Sequence, residues 1–257
     1  VKHRARKRFS QNFLNDPGVV ARIIAAIDPG PGQTIVEIGP GHGALTQPLL
    51  ASGAALHLIE IDRDLADALQ SLIAARPGVT LHRADALTLD FGRLCEAATF
   101  RVVGNLPYNI STPLLFHVLQ WSERITDMHF MLQREVVQRM AASPGGKAWG
   151  RLSVMCQLHC RVVPLFDVPP AAFSPAPQVH SSVVRLLPHA RPPVQLPSRQ
   201  AFGRIVSQAF GQRRKTLRNS LRGLLDAERI AAAGIDPGAR PESLGLEEFA
   251  ALTRMLD

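Results

Sequence analysis

The chain has 257 residues, enough for one large α/β domain with a small appendage and too few for two full-sized domains. Apolar residues make up 46% of it, so it can bury a real core, yet no run of about 18 apolar residues offers a membrane span. A formal charge of +8 and a pI near 10.4 favour a polyanionic partner through phosphate neutralisation, nucleic acid ahead of an acidic membrane surface.

The chain opens on a basic arm, Lys2, Arg4, Arg6, Lys7 and Arg8, with no apolar stretch behind it. That pattern is not a secretory leader, and the expectation is a cytoplasmic protein. Thr34–Ile38 is a short β-rich run ended by glycine, and Gly43–Ala51 reads as a helix. Ala55–Glu60 is a second strand. Asp62 caps a helix over Arg63–Ala75, which closes at Pro77-Gly78. Val79–Leu81, Phe100–Val103 and Ile125–Leu132 follow as strands, the last leading into a helix over Arg134–Ala142. This alternation predicts a parallel sheet covered on both faces. Val162–Val168 and Ser182–Leu187 read as two further strands. The proline-rich stretch Pro188–Pro197 is the expected boundary, placing one domain over 1–190 and a small helical one over 191–257. Helices are expected there over Arg199–Phe210, Lys215–Leu225 and Leu246–Leu256.

Ligands of open α/β sheets bind beyond the carboxyl ends of the strands. Gly39, Glu60, Asp85 and Asn105 all fall at such ends. Gly39 and Gly41 let the backbone turn tightly and approach a ligand, and the helix start behind them offers unpaired N–H groups. Glu60 is placed to accept both ribose hydroxyls of an adenosine cofactor, and Asp85 an adenine amino group. A nicotinamide enzyme remains open at this point, because Gly39-x-Gly41-x-x-Ala44 satisfies the loose dinucleotide fingerprint as well. Glu37 tilts the balance. A carboxylate there suits the ammonium of a methionine moiety and repels a pyrophosphate.

Asn105-Leu106-Pro107-Tyr108 follows the fourth strand. The exocyclic nitrogen of adenine is a poor nucleophile because its lone pair is conjugated into the ring. An Asn oxygen and a backbone carbonyl before or at a proline can accept its two hydrogens and free that lone pair. Tyr108, the one tyrosine in the chain, offers a flat face for an extruded base. The cysteines predict nothing comparable. Cys156 and Cys160 flank His159, but no convergent ligand set lies elsewhere, so no metal is expected.

These motifs together resemble the bacterial ribosomal RNA adenine dimethyltransferases of the KsgA type. The resemblance spans Arg8–Leu14, Val36–Thr46, Ile59–Arg63, Gly104–Ser111, Phe173–Pro177, Gln212–Ser220 and Gly234–Pro237. It implies a seven-stranded, Rossmann-like class I S-adenosylmethionine-dependent methyltransferase domain with a small C-terminal helical domain. The implied activity is N6-dimethylation of two adjacent adenosines in a hairpin near the 3′ end of 16S rRNA, during small-subunit assembly, with S-adenosylhomocysteine as product. Asn12 and Leu14 would close over the cofactor, Gly39 and Gly41 would line its methionine end, Glu60 its ribose and Asp85 its adenine. Asn105 would bridge cofactor and target amine, with Phe173 sandwiching the base opposite Tyr108.

From Arg199 to Arg222 there are seven Lys/Arg and no acid. Arg213, Arg214, Lys215, Arg218 and Arg222, at helical spacing, would present a cationic face to RNA phosphates, joined by Arg6, Lys7 and Arg8. Close relatives that methylate large-subunit rRNA lack this stretch. A DNA adenine methyltransferase more often has an acid in place of Asn105. Intact Glu60, Asp85 and Asn105 count against a ribosome-assembly factor built on a dead methyltransferase, and a dual role as enzyme and assembly factor stays open. The expected partner is 16S rRNA in the small subunit or its precursor, bound by a monomer, with no membrane.

Overall fold

The computed structural model describes residues 12–74, 76–94, 97–212 and 214–256. Arg6, Lys7, Arg8 and Arg213 lie outside them. In chain order the elements are β1 (Phe13–Leu14), α1 (Pro17–Ile27), β2 (Thr34–Ile38), α2 (Thr46–Ala51), β3 (Ala55–Ile59), α3 (Arg63–Ile73), β4 (Val79–His82), β5 (Phe100–Asn105), α4 (Ser111–Leu119), β6 (Ile125–Gln133) and α5 (Arg134–Met140). Then come α6 (Arg151–His159), β7 (Cys160–Val168), β8 (Phe173–Ser174), β9 (Ser181–Pro188), α7 (Arg199–Gly211), α8 (Leu217–Ser220), α9 (Ala227–Ala232) and α10 (Leu246–Arg254).

Capping chemistry starts the helices where the sequence offers it. The Asp16 carboxylate accepts from the Gly18 and Val19 N–H groups, with Pro17 in the first turn of α1, and Asp62 accepts from Asp64 at the start of α3. Each such cap contributes about 1 kcal/mol. The helix expected from Gly43 begins only at Thr46, because Gly43 has φ 81°, outside the right-handed helical region.

The main sheet has seven strands in the order β4-β3-β2-β5-β6-β9-β7. β4 through β6 are parallel, and their carboxyl ends come level: Ile38 pairs with Ile59, and Ile59 with His82. The expected all-parallel sheet is corrected at β9, which runs antiparallel to β6. Between β7 and β9 the chain has a single 3₁₀ turn and the short β8 but no α-helix. A parallel return needs a long crossover, usually helical, so β9 pairs the other way. β1 and β8 form a separate two-stranded ribbon, with Leu14 opposite Phe173.

The chain divides into two compact units. One comprises Val1–Val137 and Val163–Pro188, the other Gln138–Val162 and His189–Asp257. The second unit thus draws in a stretch that the proline-rich boundary assigned to the first domain. Trp149 and α6 explain this: Trp149, Val154 and Leu158 share a core with Phe202, Ile205, Leu217 and Phe249, and the Trp149 indole donates to the Leu244 carbonyl at 2.9 Å. In the first unit, Ile35, Leu56, Leu58 and Val103 of the sheet pack with Val19, Ile23 and Ile27 of α1.

A candidate cofactor and adenine site at the carboxyl end of the sheet

A cleft of about 280 Å³ opens at the carboxyl ends of β2, β3 and β5. Asn12, Leu14, Glu37, Gly39, Gly41, Glu60, Asp85, Asn105, Leu106, Pro107 and Tyr108 all line it, so eleven of the twelve residues expected at the cofactor or catalytic site meet there. The twelfth, Phe173, is not among its lining residues. It is 4% exposed and sits in the core with Leu14 and Val183, on the strand that pairs with β1.

The glycine loop is tied to the next strand by a carboxylate. Glu60 accepts the Gly41 N–H at 3.2 Å and the Asp62 N–H at 2.9 Å. Gly41 has φ 59°, and a Cβ there would meet the Phe13 ring at 3.1 Å. The loop therefore needs glycine both for its backbone and for the approach of the N-terminal segment. Phe13 packs on His42, ring centroids 4.1 Å apart, so His42 belongs to the wall of the cleft. Gly104 is needed for a different reason: a Cβ there would lie 2.6 Å from the Ile38 carbonyl oxygen, between β5 and β2.

Two buried carboxylates face this cleft with no cation among the described residues to compensate them. Glu37 is 2% exposed and accepts from the Thr46 hydroxyl at 2.7 Å. Burial pushes its pKa up to about 7, the Thr46 bond opposes the rise, and the nearby Glu60 charge adds to it. Burial also raises Glu60, against the backbone N–H groups of Asp62 and Gly41 that favour its ionised form. A pair of desolvated acids around a glycine turn fits a cationic ligand whose ribose hydroxyls can donate, which is the chemistry of S-adenosylmethionine, and does not fit a pyrophosphate. Asp85 gives one oxygen to the Leu87 N–H at 2.9 Å, which orients the carboxylate at the far end of the cleft.

At the other wall, the Asn105 side-chain amide donates to the Asn12 carbonyl at 3.0 Å. With its NH₂ so engaged, Asn105 turns Oδ1 into the acceptor role. The Pro107 carbonyl accepts from the Ile110 N–H at 3.2 Å, and Leu106 donates to the Met131 carbonyl at 3.2 Å. The Tyr108 hydroxyl is bonded to Ser181 at 2.7 Å, and Ser111 donates to the Tyr108 carbonyl at 3.2 Å. Thr46 and Ser181 are the polar residues that sequence reasoning missed here. Thr46 lies close to Glu37 in the chain and could have been suspected, but Ser181 carries no local signal.

The basic stretch is arranged differently from its expectation. The helix expected over Lys215–Leu225 shrinks to Leu217–Ser220, with Arg214 and Lys215 in the turn before it and Gly223, at φ 89°, beyond it. The helical spacing of Arg214, Lys215, Arg218 and Arg222 therefore does not create one helix face. Lys215 and Arg222 instead line a polar depression of about 690 Å³ with Gln208, Gln212 and Asn219. No helix of the described residues is long and apolar enough to cross a membrane, and no group of three or more His, Cys, Asp or Glu among them could hold a metal.

A family model described as ribosomal RNA adenine dimethylase matches residues 2–257. Ribosomal RNA small subunit methyltransferase A of Pseudomonas aeruginosa is 55% identical over 256 residues, covering 99% of this chain and 96% of that one. Its counterpart in Nitrosococcus oceani is 56% identical over 253 residues, covering 98% and 96%. Among solved structures, the 23S rRNA methyltransferase ErmE superposes with a TM-score of 0.72 at 26% identity, over 95% of this chain and 99% of its own. A dimethyladenosine transferase from Plasmodium falciparum gives 0.77 at 23% identity, over 93% and 95%, a likeness of fold.

Proposed function

This chain belongs to the ribosomal RNA adenine dimethylase family, and from that premise we propose that it dimethylates N6 of two adjacent adenosines in a hairpin near the 3′ end of 16S rRNA. It is an S-adenosylmethionine-dependent methyltransferase of Rossmann-like fold. The small subunit is favoured over the large because relatives named for the small subunit share 55–56% of its residues, against 26% for a large-subunit enzyme. The reading includes a monomer acting in the cytoplasm on the small subunit or its precursor.

The observation that carries the reading is the Asn105–Asn12 hydrogen bond, which leaves Asn105 Oδ1 as an acceptor in a cleft built for a cationic cofactor. S-adenosylmethionine supplies a methyl group made electrophilic by its sulfonium. The chain's own residues do the rest. Glu37 would hold the methionine ammonium, Glu60 the ribose and Asp85 the adenine amino group, with Gly39 and Gly41 giving backbone access and Asn12 and Leu14 closing the near side. Asn105 Oδ1 accepts one hydrogen of the target amine. The second goes to the Leu106 carbonyl, since Pro107's is already bonded to Ile110. Accepting both hydrogens draws the nitrogen toward tetrahedral geometry and frees its lone pair. Tyr108 supports the extruded base. No His, Lys or carboxylate occurs within Asn105–Tyr108, so the catalysis is positioning and polarisation, and the amine loses its proton after methyl transfer, to water or through Asn105, rather than to a titrating base. Arg214, Lys215, Arg218 and Arg222 would supply phosphate contacts, together with Arg6, Lys7, Arg8 and Arg213.

The experiment is primer extension on small- and large-subunit rRNA from unmethylated particles, after incubation with the protein and S-adenosylmethionine. Two methyls on N6 remove the Watson–Crick face, so reverse transcription should stop at two adjacent adenines. Stops on large-subunit rRNA alone would overturn the substrate assignment.

A further inference from the structure

The Tyr108–Ser181 contact brings together residues from two separate parts of the fold. Tyr108 follows β5 and lines the cleft; Ser181 is the first residue of β9, 0% exposed, and stands opposite Gln133 at the end of β6. The two hydroxyls are 2.7 Å apart. Among the described residues this is the only side-chain hydrogen bond that Ser181 makes. A buried hydroxyl keeps such a partner because leaving it unpaired costs the desolvation of the group.

The anchor is itself held on both sides. The Arg134 N–H donates to the carbonyl of His180 at 3.0 Å, and the Ser182 hydroxyl bonds Asp167, whose carboxylate also lies 3.6 Å from Arg134. Tyr108 is gripped at its other end too, where the Ser111 hydroxyl bonds its carbonyl. The ring is thus tied at backbone and phenol tip, and its long axis cannot swing away without breaking one of these bonds. Burial raises the Tyr108 pKa while the Ser181 bond lowers it, so the phenol stays protonated at neutral pH and available for this bond. Phe173 is buried, whereas the Tyr108 ring lines the cleft.

We propose that Ser181 is a positioning residue for methyl transfer: by bonding the Tyr108 hydroxyl it holds the long axis of the ring that supports the target adenine, and so places the amine against Asn105 Oδ1. This rests on the reading of Tyr108 as the base platform. Ser181 touches neither base nor cofactor; it acts through Tyr108. Misorientation of a platform costs rate rather than ground-state affinity, because phosphate contacts dominate the binding of RNA.

The test uses the full chain with unmethylated small subunits, under single-turnover conditions. Ser181→Ala should slow methyl transfer roughly 3- to 10-fold, the loss expected for one hydrogen bond. Tyr108→Phe should cost about the same, and the double variant no more than either. Ser181→Thr should restore most of the rate, and S-adenosylhomocysteine affinity should not change in any of them. Because Tyr108 is the one tyrosine of the chain, ring-labelled tyrosine gives a single ¹³Cζ signal. It should shift in Ser181→Ala and return in Ser181→Thr. A wild-type rate in Ser181→Ala, or losses that multiply in the double variant, would overturn the proposal while a strong Tyr108→Ala defect still upheld the platform. If Tyr108→Ala is itself silent, the platform reading fails and this inference falls with it.

Discussion

The two ends of the same sheet treat buried charge in opposite ways. At the carboxyl end, Glu37 and Glu60 are buried around a glycine turn, both with raised pKa values. At the amino end, Arg101 on β5 grips Asp127 on β6 through two bonds, at 2.8 and 3.0 Å, and Arg185 on β9 adds a third at 3.0 Å. Arg101 also donates to Gln33 and to the Asp28 carbonyl. Burial works against the Asp127 carboxylate, but the Arg101 bond and the surrounding charges outweigh it and hold its pKa low. Nearby His129, pushed down to about 4 chiefly by burial, stays neutral. One end is a closed account of charges that ties three strands together. Among the described residues no cation answers the two acids of the other end, and such a pair is what a cationic ligand completes.

The largest effect expected from this contrast is on stability. Arg101→Ala leaves the buried Asp127 carboxylate with Arg185 as its remaining arginine partner and should lower unfolding free energy by about 3 kcal/mol in urea titrations, without changing S-adenosylhomocysteine affinity per folded molecule. Weakened cofactor binding with undiminished stability would break the division between the two ends.

Next comes chemistry. If Asn105 Oδ1 polarises the target amine as proposed, Asn105→Ala should slow single-turnover methyl transfer by on the order of 10²–10³-fold. RNA affinity should hardly move, since one acceptor adds little to a phosphate-driven interface. With cofactor saturating, the wild-type rate should be flat from about pH 6 to 9, the range in which an ordinary histidine base would show.

Much of this site was legible because its signals are local. The β2 strand with its glycine loop, the acid at the end of β3, the Asp62 cap and the Asn105–Tyr108 turn each declare themselves within a few residues. What escaped is set by distant partners or by single backbone angles. Gly43 delays α2. The short link after β7 reverses β9. Phe173 is exposed or buried according to whether β1 pairs with β8, and Ser181 meets Tyr108 only because β9 inserts beside β6. The basic segment after α7 has helical spacing but not a continuous helix, so charge content was readable and its geometry was not.

A third test compares the pH slopes of the two ends. Glu37 has a folded pKa near 7 against an ordinary 4.5, so the folded protein retains a proton that the unfolded chain releases. Its contribution to stability therefore falls as pH rises through that window. Asp127 does the reverse: its stabilising contribution is present above its ordinary pKa of 3.8 and is lost as pH falls through its lower folded value. At pH about 8, Glu37→Gln should stabilise the cofactor-free protein by on the order of 3 kcal/mol, while Asp127→Asn should destabilise it. Thermal melts from pH about 2.5 to 8 check both signs.

The smallest effect concerns the second unit. Arg214→Ala and Arg218→Ala should each flatten the log–log salt dependence of RNA affinity by a little under one unit if each contacts a phosphate. Cofactor affinity should stay fixed. An unchanged slope would mean that these cations are merely solvated.

The most direct test of the open-acid account is calorimetric titration of S-adenosylmethionine into the wild-type protein and Glu37→Gln across pH about 5.5 to 8.5. An ammonium beside Glu37 favours its carboxylate, so binding below pH 7 should release a proton from that group, and wild-type affinity should rise with pH and level off above about 7. Glu37→Gln should bind more weakly at high pH and lose this component of proton release. The same affinity and proton release in both proteins at every pH would contradict the claim that the uncompensated carboxylate at this end of the sheet is what receives the cofactor's charge.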